Sequence, residues 1–177
     1  LVAWYPFNGN ANDASGNGNH GVVNTNADLM PSFAYDSLWN REIIEFDDVD
    51  DELTVLAPSQ LGVGNAFSFS TWLMPNEQNE GQVVSMDAGR FSFFLDGADD
   101  HFDFLSSASS AWASEAYYCG LDNHPYVHPD GWFQMTITIS SDSIKAFANG
   151  QFIAGMDCGG QSTFDTKARV PRLPGQF

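Results

Sequence analysis

From Phe133 to Ile139 apolar and polar residues alternate without a break, Phe133, Met135, Ile137 and Ile139 against Gln134, Thr136 and Thr138. A period of two puts each set on one face of a pleated strand, so the stretch reads as half-buried β-structure. Phe67-Ser68-Phe69-Ser70-Thr71-Trp72-Leu73 repeats the pattern, with Phe67, Phe69 and Leu73 on one face and Ser68, Ser70 and Trp72 on the other. Ser143–Ala148 and Gln151–Ala154 flank Asn149-Gly150, a pair that tolerates the positive φ angles of a type I′ turn and so predicts a hairpin. Further strands are expected at 2–6, 20–24, 42–46, 52–56, 82–86, 91–95 and 101–105, and no helical period competes with them. Residues 106–116 read as a long loop or edge segment, and the tail after Gly159 is less regular. Strands this short and numerous, joined by turns, predict an all-β fold, a two-sheet antiparallel β-sandwich in which residues 1–177 form a single domain.

Composition narrows the function classes. Aromatic residues are 14% of the chain, far too many for a disordered segment. The formal charge of −17 repels phosphate, which excludes nucleic acid and argues against anionic membranes, while divalent cations, basic partners and neutral sugars stay open. Much of that charge reads as a solvated surface. No apolar run approaches the roughly 20 residues of a membrane helix. The chain opens on Leu1-Val2-Ala3-Trp4, which reads as a strand and not as a signal peptide, so a processed or excised segment is expected. Cys119 and Cys158 are the only cysteines. They read as a disulfide closing a loop of about 40 residues, worth roughly 4 kcal/mol; two small buried thiols are the alternative.

Four segments, in order, resemble laminin-G-like and pentraxin-like jelly rolls of the concanavalin A-like lectin/glucanase type. They are the opening Trp4-Tyr5-Pro6-Phe7-Asn8-Gly9-Asn10-Ala11-Asn12-Asp13-Ala14-Ser15-Gly16-Asn17-Gly18-Asn19-His20-Gly21, the acidic turn Ile44-Glu45-Phe46-Asp47-Asp48-Val49-Asp50-Asp51, the strand Phe67 to Pro75, and Gly131-Trp132-Phe133 through Asn149-Gly150-Gln151. The resemblance covers about residues 2–155 and leaves 156–177 as a tail. It implies an extracellular or cell-surface, non-catalytic recognition or adhesion module for glycans or glycoproteins. Such domains close with a strand reading roughly G-x-I-D-x-V-R-I-Y beside the first strand. Here the chain reads Val170-Pro171-Arg172-Leu173-Pro174-Gly175-Gln176-Phe177, so a strand from a neighbouring subunit or from the parent protein is expected to fill that place. A structural subunit of a larger extracellular assembly, with no soluble ligand, is the alternative function.

Calcium takes six to eight oxygens, and the loop 8–20 offers Asn8, Asn10, Asp13 and Asn17 among glycines. With the resemblance, these residues are expected to hold a structural Ca2+, Asp13 being the carboxylate anchor; without it, Asn and Gly are simply turn formers. Asp47, Asp48, Asp50, Asp51 and Glu52 form an acidic turn, read as solvated before it is read as a second metal site. Family 16 glycoside hydrolases share the sandwich and carry Glu-x-Asp-x-x-Glu on one strand. Glu45-Phe46-Asp47-Asp48-Val49-Asp50 falls short by ending in Asp50, and Phe46 matches the core phenylalanine of the resemblance, which turns Glu45 and Asp47 outward. Catalysis is therefore not expected. Sugar rings stack on aromatic faces, for which Trp39, Trp72, Trp112, Tyr117, Tyr118, Tyr126 and Trp132 are available. Trp72, beside Ser68 and Ser70 on a polar face, and Trp112, in a Ser/Ala-rich stretch, stand out, with Tyr126 and His124 in a polar loop as further ligand contacts.

Overall fold

The computed structural model describes residues 1–23, 30–47, 51, 53–55, 66–74, 80–86, 91–96, 101–107, 117–125, 131–140 and 143–157. They contain twelve strands: β1 (Gly21–Val23), β2 (Ser32–Asp36), β3 (Arg41–Glu45), β4 (Leu53–Val55), β5 (Phe67–Leu73), β6 (Glu80–Met86), β7 (Phe91–Asp96), β8 (His101–Ser107), β9 (Tyr117–Pro125), β10 (Phe133–Ile139), β11 (Ser143–Ala148) and β12 (Gln151–Asp157). Every pairing is antiparallel. One four-stranded sheet runs β12-β11-β10-β5 and another β6-β7-β8-β9, with two-stranded pairs β1-β4 and β2-β3.

The alternation in β10 decides the layer order. Phe133, Met135, Ile137 and Ile139 are buried, and β11 adds Ile144 and Ala146. Phe93 of β7 is fully buried in the same cluster and Val83 of β6 packs against it, so the inner faces of the two large sheets meet there. Asn149 (φ 48°) and Gly150 (φ 77°) make the expected hairpin turn between β11 and β12. Asn149 ties that turn to β10, its N–H donating to the Gln134 carbonyl at 2.8 Å and its Oδ1 accepting the Gln134 N–H at 2.9 Å. A shift in the β11–β12 register sets Phe147 opposite Phe152 and Ala146 opposite Ala154. The bulge leaves Ala154 in the core while Phe152 stays on the outer face.

Several expectations change. Residues 2–6 form no ladder strand; their backbone is bonded to the following loop instead. β2 and β9 were not foreseen, and β9 takes in His124 and Pro125, so His124 lies on a strand paired with Phe102 of β8 and not in a loop. Phe46 is 46% exposed; Ile43, at 7%, holds the core position of that strand. Cys119 lies on β9 opposite Ser106, and Cys158 falls outside the described residues, as does 108–116.

Candidate functional site

The opening loop is organised by one carboxylate. Asp13 is nearly buried, and its oxygens accept four hydrogen bonds: Oδ1 from the N–H of Trp4 (2.9 Å) and of Ser15 (2.8 Å), Oδ2 from the Ser15 hydroxyl (2.8 Å) and the Asn19 N–H (3.0 Å). Burial pushes this carboxyl up, but those four bonds outweigh it and hold the group below the usual carboxylate range. Being depressed, it stabilises the fold above the ordinary carboxylate pKa and loses that effect only as acid reaches its lowered value. The asparagines turn their NH2 groups to backbone carbonyls: Asn10 to Asn8, Asn17 to Leu1 and Val2, Asn19 to Val2. The Asn10 Oδ1 accepts the Asn12 N–H. A carboxylate has about four lone-pair sites, and those of Asp13 are filled. Asn8, Asn10, Asp13 and Asn17 are thus engaged in one hydrogen-bonded turn, Asn8 through its backbone carbonyl. Gly21 closes the turn by donating its N–H to the Ala11 carbonyl; a Cβ there would meet Leu53 Cδ1 at 2.8 Å and the Ala11 carbonyl at 3.1 Å.

Tyr5 completes this corner. Its hydroxyl donates to the Asn19 carbonyl at 2.6 Å, and burial, with the Asp13 charge second, pushes its pKa up to about 12. Because the folded value is raised above the ordinary 10.0, the stabilisation is complete below pH 10 and is lost as pH rises toward about 12. Alkaline unfolding followed by circular dichroism is expected to begin in that window, and in Tyr5→Phe this contribution to it disappears.

A second constellation lies at the end of the β5–β10 outer face. Trp39, from the β2–β3 turn, stacks on Trp132 with centroids 4.6 Å apart and planes at 14°, and meets Trp72 of β5 at 5.0 Å. The Arg41 guanidinium covers Trp39 at 4.7 Å and donates to the Pro6 carbonyl at 3.2 Å. One carboxylate sets the stack: Asp36 Oδ1 accepts the N–H groups of Leu38 and Trp39, both at 2.8 Å, and Oδ2 accepts the Trp132 indole N–H at 2.7 Å. The Trp132 bond, then that from Trp39, lowers the Asp36 pKa, so the arrangement holds at and above the ordinary carboxylate range and loosens only in acid. Trp72 keeps 44% of its surface exposed. Beside it the Ser70 and Thr136 hydroxyls touch at 2.8 Å. The site is thus an aromatic cluster next to a hydroxyl-bearing sheet face, a combination whose chemistry suits stacking on and hydrogen-bonding to a sugar ring.

With this geometry in view, residues 47–172 match the profile of the Concanavalin A-like lectin/glucanases superfamily (Laminin_G_3). The chain belongs to this superfamily. No curated protein matches it by sequence. Among solved structures it is similar to domain 4 of AbnA, a GH43 extracellular arabinanase from Geobacillus stearothermophilus, in complex with arabinotriose. The TM-score is 0.55 at 15% identity, over 96% of this chain and 87% of that one. It is also similar to the binding domain of botulinum neurotoxin DC in complex with rat synaptotagmin II, with a TM-score of 0.58 at 13% identity over 98% of this chain; the chain spans 44% of that domain. At these identities the likeness is one of fold.

The concanavalin A-like sandwich brings Trp72 together with Trp39 and Trp132, which the sequence had left as separate aromatics. Asp36, Arg41 and the β2–β3 turn that carries Trp39 were missed as parts of the site; the Asp36…Asn40 spacing of turn formers was the available signal. The Asp13 loop lies elsewhere, around residues 1–5. Glu45 and Asp47 are exposed to solvent beside exposed Phe46, with Glu45 accepting from the Ser32 hydroxyl at 3.3 Å and Asp51 accepting the Asp47 N–H at 2.7 Å. Asp48, Asp50, Glu52, Trp112 and Tyr126 fall outside the described residues. Among those described, no group of three His, Cys, Asp or Glu side chains is placed to hold a metal.

Proposed function

We propose that this domain is an extracellular, non-catalytic recognition module that binds glycans, free or on glycoproteins, through the Trp39–Trp72–Trp132 platform. The observation that carries this reading is Trp72. A large aromatic is left half-exposed against Trp39, which is itself stacked on Trp132, on a face that also carries the paired Ser70 and Thr136 hydroxyls. Membership of a lectin/glucanase superfamily supports it. So does the likeness in fold to an arabinanase domain solved with a bound oligosaccharide, which also supports the extracellular setting. The solvent-facing Glu45 and Asp47 favour binding over hydrolysis, since paired catalytic carboxylates must flank one scissile bond. The opening loop, satisfied by its own hydrogen bonds, is proposed to stand without calcium. A glycan-array screen of the folded domain, with calcium and again with a chelator, tests both points. Selective binding that survives chelation is expected, with a Tm equal in the two buffers. The absence of any glycan bound defeats the recognition reading, and a calcium-raised Tm that Asp13→Asn abolishes defeats the metal-free loop.

A structural role in a larger assembly is favoured by a different observation. Trp4 bonds to the loop through both N–H and C=O, whereas among the described residues no hydrogen bond reaches the N–H or C=O of Ala3 or Tyr5. On this reading Ala3 and Tyr5 are the residues that a strand from another chain would pair with. Their amides then exchange rapidly in dilute protein and become protected as concentration rises. Exchange independent of concentration counts against it.

A further inference from the structure

We infer that the ligand of this face is an extended, uncharged polysaccharide chain lying across the strands, with Phe147 and Phe152 forming a second contact remote from Trp72; the inference rests on the glycan reading above. The register supplies the path. Trp72 sits opposite Gln134. Two residues along β5, Ser70 lies opposite Thr136, Thr136 opposite Phe147, and Phe147 opposite Phe152, so one lane crosses all four strands on the outer face. The next lane holds Ser68, Thr138, Lys145 and Gly155. At one end of this hydroxyl strip stands Trp72; at the other, Phe147 and Phe152 pack edge to face with centroids 5.8 Å apart, and Phe152 is 61% exposed. A Cβ on Gly155 would come within 3.2 Å of the Phe152 ring, so the missing side chain lets that ring lie against the sheet.

Neighbouring strands are about 4.8 Å apart, which separates Ser70 from Phe152 by roughly 14 Å. A single sugar ring cannot touch both ends, whereas a chain of several units can, stacking at each end and hydrogen-bonding to Ser and Thr between them. An isolated exposed phenylalanine would need no explanation. Here the bulge between Ala146 and Phe147 aligns a pair of them with the hydroxyl lane and leaves them facing outward. The charge of the ligand follows from the protein's. Lys145 lies on this face, but 23 acidic residues against 6 basic ones repel a polyanion.

The test is affinity electrophoresis through linear arabinan, xylan and mixed-linkage β-glucan, with polygalacturonate as the charged comparison, together with titration by the disaccharide of whichever polymer retards the protein. Wild type is expected to be retarded by an uncharged polymer and not by polygalacturonate. Phe152→Ala is expected to weaken polymer binding about tenfold while leaving disaccharide binding within about twofold, as a contact beyond the reach of the short ligand would. Trp72→Ala weakens both. Gly155→Ala, which displaces the Phe152 ring, gives a second variant should Phe152→Ala fail to fold. Retardation that neither variant changes, or preference for polygalacturonate, overturns the extended-chain inference and leaves the glycan reading standing. No retardation by any polymer and no array binding defeats the glycan reading, and this inference falls with it.

Discussion

Trp72→Ala is expected to weaken glycan binding about thirtyfold, the loss of roughly 2 kcal/mol typical of a central aromatic anchor. Truncation removes the ring that a sugar would stack on. It also removes the partner that Trp39 meets at 5.0 Å, so the platform loses a contact surface and its lateral support together. Trp72→Phe keeps a π-face of smaller area and is expected to recover part of the affinity. The fold should tolerate both changes. Trp72 points away from the core, and its strand is held by backbone pairing with β10 from Phe67↔Ile139 to Leu73↔Phe133. Calorimetric titration of the array-selected oligosaccharide, with Tm recorded in parallel, checks the separation. Wild-type affinity in Trp72→Ala would remove the platform from the binding site.

The ease with which parts of this molecule could be read reflects how local their determinants are. β5, β10 and the β11–β12 hairpin were legible because alternation and an Asn-Gly turn are encoded within a few residues, and the same alternation placed Trp72 on the polar face. β9 was not, since Gly120, Asn123 and Pro125 read as breakers; pairing with β8 overrides them. The segment 2–6 has a strand's composition, yet the atoms that would pair with it belong to the Asp13 loop, and composition does not reveal that partner. The same loop shows why asparagine and glycine alone do not decide between a turn and a metal site. The residue types suited to calcium also suit a turn, and only the direction of each amide separates the two. The tryptophan cluster was illegible for another reason. Trp39, Trp72 and Trp132 are far apart in sequence, and the carboxylate that joins two of them, Asp36, carries no motif.

Ile137→Ala is expected to cost about 3 kcal/mol of stability, lowering Tm by roughly 10 °C at this chain length. Ile137 is fully buried at the middle of β10, between Phe69 of β5 and Ala146 of β11, and Phe93 from the opposite sheet belongs to the same core. Truncation there opens a cavity that neither sheet can close, because both neighbouring strands are fixed in register and Ala146 is too small to move into it. Thr136 and Thr138, on either side, keep their places on the outer face. Below its lowered Tm the variant should therefore bind glycan as wild type does, whereas Trp72→Ala should lose binding with little change in Tm. The pair forms a double dissociation measurable by thermal denaturation and calorimetry. Loss of binding in both variants would mean that the outer face depends on core packing, and the platform could then no longer be treated as a site carried on a rigid sheet.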